Sequence, residues 1–130
     1  MVATVREMFE ESDGCIKIKE KDLRYGGVIV FINDDGVSDF RVHMFYGLDI
    51  FTGLPPSTGV MQDPTWFDIS SLGKLDMMPA DRFFLPMILS DRKVIRGKVI
   101  FEKGFKGVKE FFYEEISSHE IQTLLGEIQP

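Results

Sequence analysis

The chain has a single cysteine among its 130 residues, Cys15, so it can close no disulfide within itself and it contains no CxxC metal site. No apolar run approaches the ~18 residues that a membrane span needs. No signal-like segment stands ahead of the first helix-like stretch. Positive charge is also scarce: 15 Lys and Arg against 21 Asp and Glu leave a formal net charge of −6. That balance excludes a general binder of nucleic acid polymer, which needs basic residues to neutralise phosphates. Repeats and low-complexity tracts are absent as well. These absences lead to the expectation of a cytoplasmic globular protein that does not engage a membrane.

The acidic balance leaves room for a metal-dependent nucleotide enzyme, because carboxylates can hold a cation that in turn meets the phosphates. Hydrophobic residues make up 44% and charged residues 28% of the chain, as in ordinary globular proteins. The length suits one domain, residues 1–130, with a sizeable core. Twelve Phe are many for this length and favour aromatic packing or a ring-lined pocket.

Hydrophobic periodicity predicts a helix over 2–12, with Val2, Val5 and Phe9 on one side and Asp13-Gly14 as the stop. Residues 22–32 and 40–48 read as strands joined by the turn Asn33-Asp34-Asp35-Gly36, hence an antiparallel hairpin. A proline-rich loop is expected over 51–64 and a short strand over 65–69. Pro79 opens a predicted helix to Leu89, with Pro86 placed to kink or end it. Strands over 94–102 and 108–116 form a second pair across Gly104-Phe105-Lys106-Gly107. A closing helix follows Ser117-Ser118-His119-Glu120, a capping-box pattern, with Gly126 near its end. This order predicts a mixed α/β or α+β domain with helices packed on a sheet.

The stretch that carries chemistry is Arg6-Glu7-Met8-Phe9-Glu10-Glu11-Ser12-Asp13-Gly14. On a helix, Glu7, Glu10 and Glu11 fall within an arc of ~100°, opposite Val2, Val5 and Phe9. Carboxylates so placed repel one another by a few tenths of a kcal/mol per pair, roughly. A divalent cation with hard-oxygen preference reverses that sign. Arg6 beside them is placed to hold one carboxylate by a bidentate pair. For the triplet alone, a solvated acidic helix face is the commoner explanation.

The full string adds weight to the chemical reading. Arg6-Glu7-Met8-x-Glu10-Glu11 resembles the second half of the Nudix box, G-x5-E-x7-R-E-U-x-E-E-x-G-U, where U is a bulky aliphatic residue. Asp13 stands where the pattern has its last glycine, and Gly14 follows, which suggests a one-residue insertion. The pattern's earlier glutamate, its first glycine and the strands before them have no counterpart, so the resemblance implies a Nudix-like sheet between helices, truncated at the N-terminus. Downstream, Val42-His43-Met44-Phe45 and Pro64-Thr65-Trp66-Phe67-Asp68-Ile69 resemble the family's strands on either side of its long loop. Asp76-Met77-Met78-Pro79-Ala80-Asp81-Arg82-Phe83-Phe84-Leu85-Pro86 resembles the D-M-W-P-D-D-x-x-W-F-P segment of oxidised purine triphosphate hydrolases. Residues 97–101 and 112–116 fall where that subfamily has its last two strands.

The resemblance implies Mg²⁺ or Mn²⁺ on Glu7, Glu10 and Glu11, with Glu10, Glu11 and Arg6 as the catalytic set. It implies cleavage of a nucleoside triphosphate, an oxidised purine such as 8-oxo-dGTP included, or of a related nucleoside diphosphate derivative such as a nucleotide sugar. It places Met78 and Asp81 at the base, where the subfamily has a stacking tryptophan and two aspartates. A thioether offers less face than an indole, and one carboxyl reads a purine less strictly than two. The alternative is a truncated or degenerate scaffold without catalysis, binding a nucleotide or a partner.

Other residues have plainer roles. Asp81 is equally suited to cap the helix that follows Pro79-Ala80. Phe83, Phe84 and Leu85 read as core, and Trp66-Phe67 as a buried strand. His43 and His119 read as structural, and Cys15 as a small buried hydrophobe. Gly26-Gly27 inside a strand marks a bulge or a close backbone approach.

Overall fold

A computed structural model of the chain describes residues 2–33, 39–47, 57 and 65–128. The expected loop over 51–64, apart from Ser57, and most of the turn after Asn33 lie outside the described residues. The elements are helix α1 (Val2–Glu11), strands β1 (Leu23–Ile32) and β2 (Asp39–Gly47), helix α2 (Asp81–Leu89), strands β3 (Ile95–Phe101) and β4 (Val108–Glu115), and helix α3 (Ser118–Ile128). Short 3₁₀ turns occupy Glu20–Asp22, Ile69–Lys74 and Lys103–Phe105.

The four strands form one mixed sheet in the order β2-β1-β3-β4. Both hairpins predicted from sequence are present: β1 pairs antiparallel with β2, and β3 with β4. The two hairpins join through a parallel β1–β3 pairing, from Gly27 opposite Ile95 to Ile32 opposite Ile100. A parallel pair needs a long crossover between its strands, and α2 lies within that connection.

Alternation of side chains along β1 sorts the core into two layers. Ile29, with Ile95, Val99 and Phe101, faces Ala80, Phe84 and Ile88 of the α2 segment. Val28 and Tyr25 face Ile116 and Leu124 at the α3 end. The sheet is therefore sandwiched between helices. Phe31 ties the first layer together with ring contacts of 5.9 Å to both Phe84 and Phe101.

Gly27 explains how the two strands approach. It lies at φ 125°, and a Cβ there would stand 1.9 Å from the Ile95 carbonyl oxygen. The β1–β2 register shifts between Tyr25 and Gly27. The glycine pair is thus both a bulge and a close approach, and the backbone it approaches is β3.

Helix α2 runs through Pro86 to Leu89 instead of ending there. Proline removes one helical N–H, but Phe84 and Ile88 on either side are buried at 1% and 2% exposure and hold the turn. The expected strand over 65–69 is absent. Asp68 instead caps a 3₁₀ turn, accepting from the Ser70 amide at 3.4 Å, while the Ser71 hydroxyl donates to the Asp68 carbonyl at 2.7 Å. These local bonds compete with strand pairing. They leave Trp66 and Phe67 exposed at 64% and 59%, contrary to the buried strand their apolarity suggests. Cys15 is half-buried, and His119 is exposed at the start of α3.

Candidate functional site

Helix α1 stops where the sequence says it should. The Gly14 amide donates to the Phe9 carbonyl at 2.7 Å and the Asp13 amide to the Glu10 carbonyl at 3.1 Å. Both Asp13 and Gly14 have positive φ, 55° and 79°. Asp13 therefore itself adopts the left-handed conformation for which the box pattern keeps a glycine; aspartate tolerates it better than most residues. Ser12, fully buried, fastens this corner: its hydroxyl donates to the Met8 carbonyl at 2.6 Å and accepts from the Ile16 amide at 2.8 Å.

This anchoring fixes the exit of a helix that buries none of its described residues. Glu7, Glu10 and Glu11 are all exposed. Arg6 approaches Glu10 through Nε at 4.0 Å, a single long contact between exposed groups. That is weaker than the bidentate pair expected from sequence, since long side chains in water gain little by holding one geometry. Among the described residues, no three of the His, Cys, Asp and Glu side chains gather into a metal-binding group. Mg²⁺ asks for less than that, commonly one or two carboxylates with water and substrate phosphate. The hard oxygens of α1 fit that demand in kind and number, though they do not converge as a three-ligand set.

The second group of predicted residues lies at the start of α2. The Asp81 amide donates to the Met78 carbonyl at 3.0 Å, which fixes the two close together. Asp81 is the first residue of α2, and the cap position before it belongs to Ala80, which makes no side-chain capping bond. The capping role open to Asp81 from sequence is thus not the one it fills. Burial pushes its carboxyl pKa above the ordinary value. Met78 is 64% exposed. Phe84 is core, as expected, and Leu85 is partly buried, whereas Phe83 is half-exposed and contacts Phe111 at 5.4 Å. The Phe111 ring in turn stacks on Tyr113 at 5.7 Å. The metal-ligand and base-reading candidates are carried by two separate elements, α1 and the start of α2.

Sequence reasoning did not single out the groove on the α3 side of the sheet. It has a volume of about 540 Å³ and is lined by Val30 and Ile32 of β1, Gly97 and Lys98 of β3, and Phe112 and Glu114 of β4, among others. Arg96 closes one end, bonded to Glu114 at 2.8 Å and to Glu120 of α3 at 2.9 Å, and both contacts push its pKa up. Alternation of Arg96, Lys98, Glu110, Phe112 and Glu114 along two exposed strand faces was the signal available for it.

No protein-family model matches the sequence, and no curated protein matches it in sequence. The fold does have a counterpart among solved structures. The mutator MutT protein from Bacillus halodurans superposes with a TM-score of 0.70 over 85% of this chain and 70% of that one, at 18% identity. The chain has a Nudix-like fold.

Proposed function

We propose that this chain is a Nudix-type pyrophosphohydrolase that converts nucleoside triphosphates, oxidised purine ones included, to monophosphate and pyrophosphate. The observation that carries the reading is the Arg6-Glu7-Met8-x-Glu10-Glu11 string. It lies on an exposed helix that ends in a left-handed turn at Asp13, ahead of a sheet folded like that of a MutT protein.

In this reading Glu7, Glu10 and Glu11 hold Mg²⁺ or Mn²⁺, with Glu10 and Glu11 as the principal ligands. When bound there, the cation would supply the positive charge that neutralises the phosphates. One of the glutamates takes the proton of the attacking water while Arg6 steadies Glu10. The water oxygen bonds to phosphorus, the bridging P–O bond breaks, and its electron pair leaves on the departing pyrophosphate or nucleoside monophosphate. Met78 packs on the base and Asp81 reads its edge by accepting hydrogen bonds.

The test is pyrophosphate release from a panel of nucleoside triphosphates with Mg²⁺, 8-oxo-dGTP among them. We expect turnover that Glu10→Gln and Glu11→Gln each lower by at least about a hundredfold, and selectivity among purines that Asp81→Ala relaxes. Turnover indifferent to both glutamates sinks the assignment. The carboxylates that do not converge favour one second reading, a non-catalytic scaffold that binds a nucleotide or a partner. Folded protein that binds nucleotide without turnover is its outcome.

A further inference from the structure

β4 is the last strand of the sheet, and no described strand pairs with its outer edge. Natural sheets shield such edges with short strands, charged side chains, proline or a covering element. β4 is eight residues long and contains no proline. It presents Phe112 on one face and Tyr113 on the other, 54% and 47% exposed. On the Phe112 face of β3 and β4, two charges have no ion-pair partner among the described residues. One is Lys98, directly opposite Phe112 in the β3–β4 register; the other is Glu110, two residues back along β4. Arg96, by contrast, is matched by Glu114 and Glu120 on the same face.

We propose that two copies of this chain join through antiparallel β4 strands about a two-fold axis at Phe111, making one continuous sheet. An axis perpendicular to the sheet keeps each face on its own side, so a residue can oppose only one that points the same way. Centred on Phe111, the register sets Glu110 opposite the partner's Phe112, and Lys109 opposite the partner's Tyr113. A row across one face then runs Lys98, Phe112, the partner's Glu110. Strands ~4.8 Å apart put the ends of that row about 10 Å apart at Cα. A lysine and a glutamate reaching toward each other span this distance over the Phe112 ring and cover it. Symmetry forms the same bridge twice. Neighbouring registers lack this match: an axis at Phe112 opposes Glu110 to the partner's Glu114, and one at Glu110 opposes it to itself. Like charges directly opposite are destabilising.

This inference is independent of the proposed activity. It is tested by sedimentation equilibrium over a concentration series on the wild-type chain, Lys98→Glu, Glu110→Lys and the double variant. Both side chains are exposed, so the variants keep the fold, which far-UV circular dichroism checks. The wild type is expected to dimerise, each single reversal to raise the dissociation constant about tenfold or more, and the double reversal to restore it. A wild type that stays monomeric up to ~1 mM, or a double variant no tighter than the singles, overturns the proposal.

Discussion

The Tyr25–His43 pair is the residue-scale feature with the clearest measurable consequence. The Tyr25 hydroxyl and His43 Nδ1 share a hydrogen bond of 2.7 Å, joining β1 to β2 beneath α3. Burial pushes the Tyr25 pKa up to about 12 and lowers that of His43, with the Arg41 guanidinium lowering the latter further and Glu127 partly opposing. Burial and the nearby guanidinium both disfavour the charged imidazole, so the fold favours the uncharged ring. The sign follows from linkage. His43 contributes stability that is fully present above its unfolded pKa of ~6.5 and is lost as pH falls through the lowered folded value. Melting temperature is therefore expected to decline as pH drops from ~7 through ~6.5 and below. His43→Gln should flatten that decline, and Tyr25→Phe should cost about 1 kcal/mol at neutral pH. An identical pH profile for wild type and His43→Gln would show that this pair does not couple folding to protonation.

At the scale of elements, α3 is held at both ends. The Glu120 amide donates to the Ser117 hydroxyl at 3.2 Å at its start, and Arg41 meets Glu127 at 3.0 Å in its last turn. Ser117→Ala should lower stability by about 1 kcal/mol through loss of that cap. Gly126→Ala should raise it by roughly 0.5–1 kcal/mol, since an added Cβ there meets nothing within 4 Å. Denaturant melts of both variants check the opposite signs. The cap was legible in Ser117-Ser118-His119-Glu120, because a capping box is a local bond between residues three apart. Both hairpins were legible for a similar reason: each joins neighbouring strands across a turn rich in glycine or Asn and Asp. The parallel union of β1 with β3 was not, because pairing across more than sixty residues leaves no local pattern. The strand expected at Trp66-Phe67 failed where the Asp68 and Ser71 side chains bonded the backbone into a turn.

For the whole molecule, legibility of the candidate site divides along the same line. The α1 string is contiguous, so its three glutamates and its stop at Asp13-Gly14 could be read directly. Asp81 could be located but its cap role could not be judged, because only folding reveals that Ala80 takes the cap position. The groove at Phe112 required three strands to assemble before it existed. What unites the molecule is a net charge of −6 carried partly on an exposed helix whose carboxylates face solvent. Such a helix is a small electrostatic liability unless it meets a cation, and the proposed function supplies that cation.

The most direct test of this account is a titration of Mn²⁺ with the protein and a nucleoside triphosphate, followed by the electron paramagnetic resonance signal of free Mn²⁺. Loss of that signal with the wild-type chain, weakened about tenfold or more in Glu10→Gln and in Glu11→Gln, is the predicted result. Mn²⁺ binding of equal strength in the wild type and both variants would contradict it, because the cation would then not be held by α1.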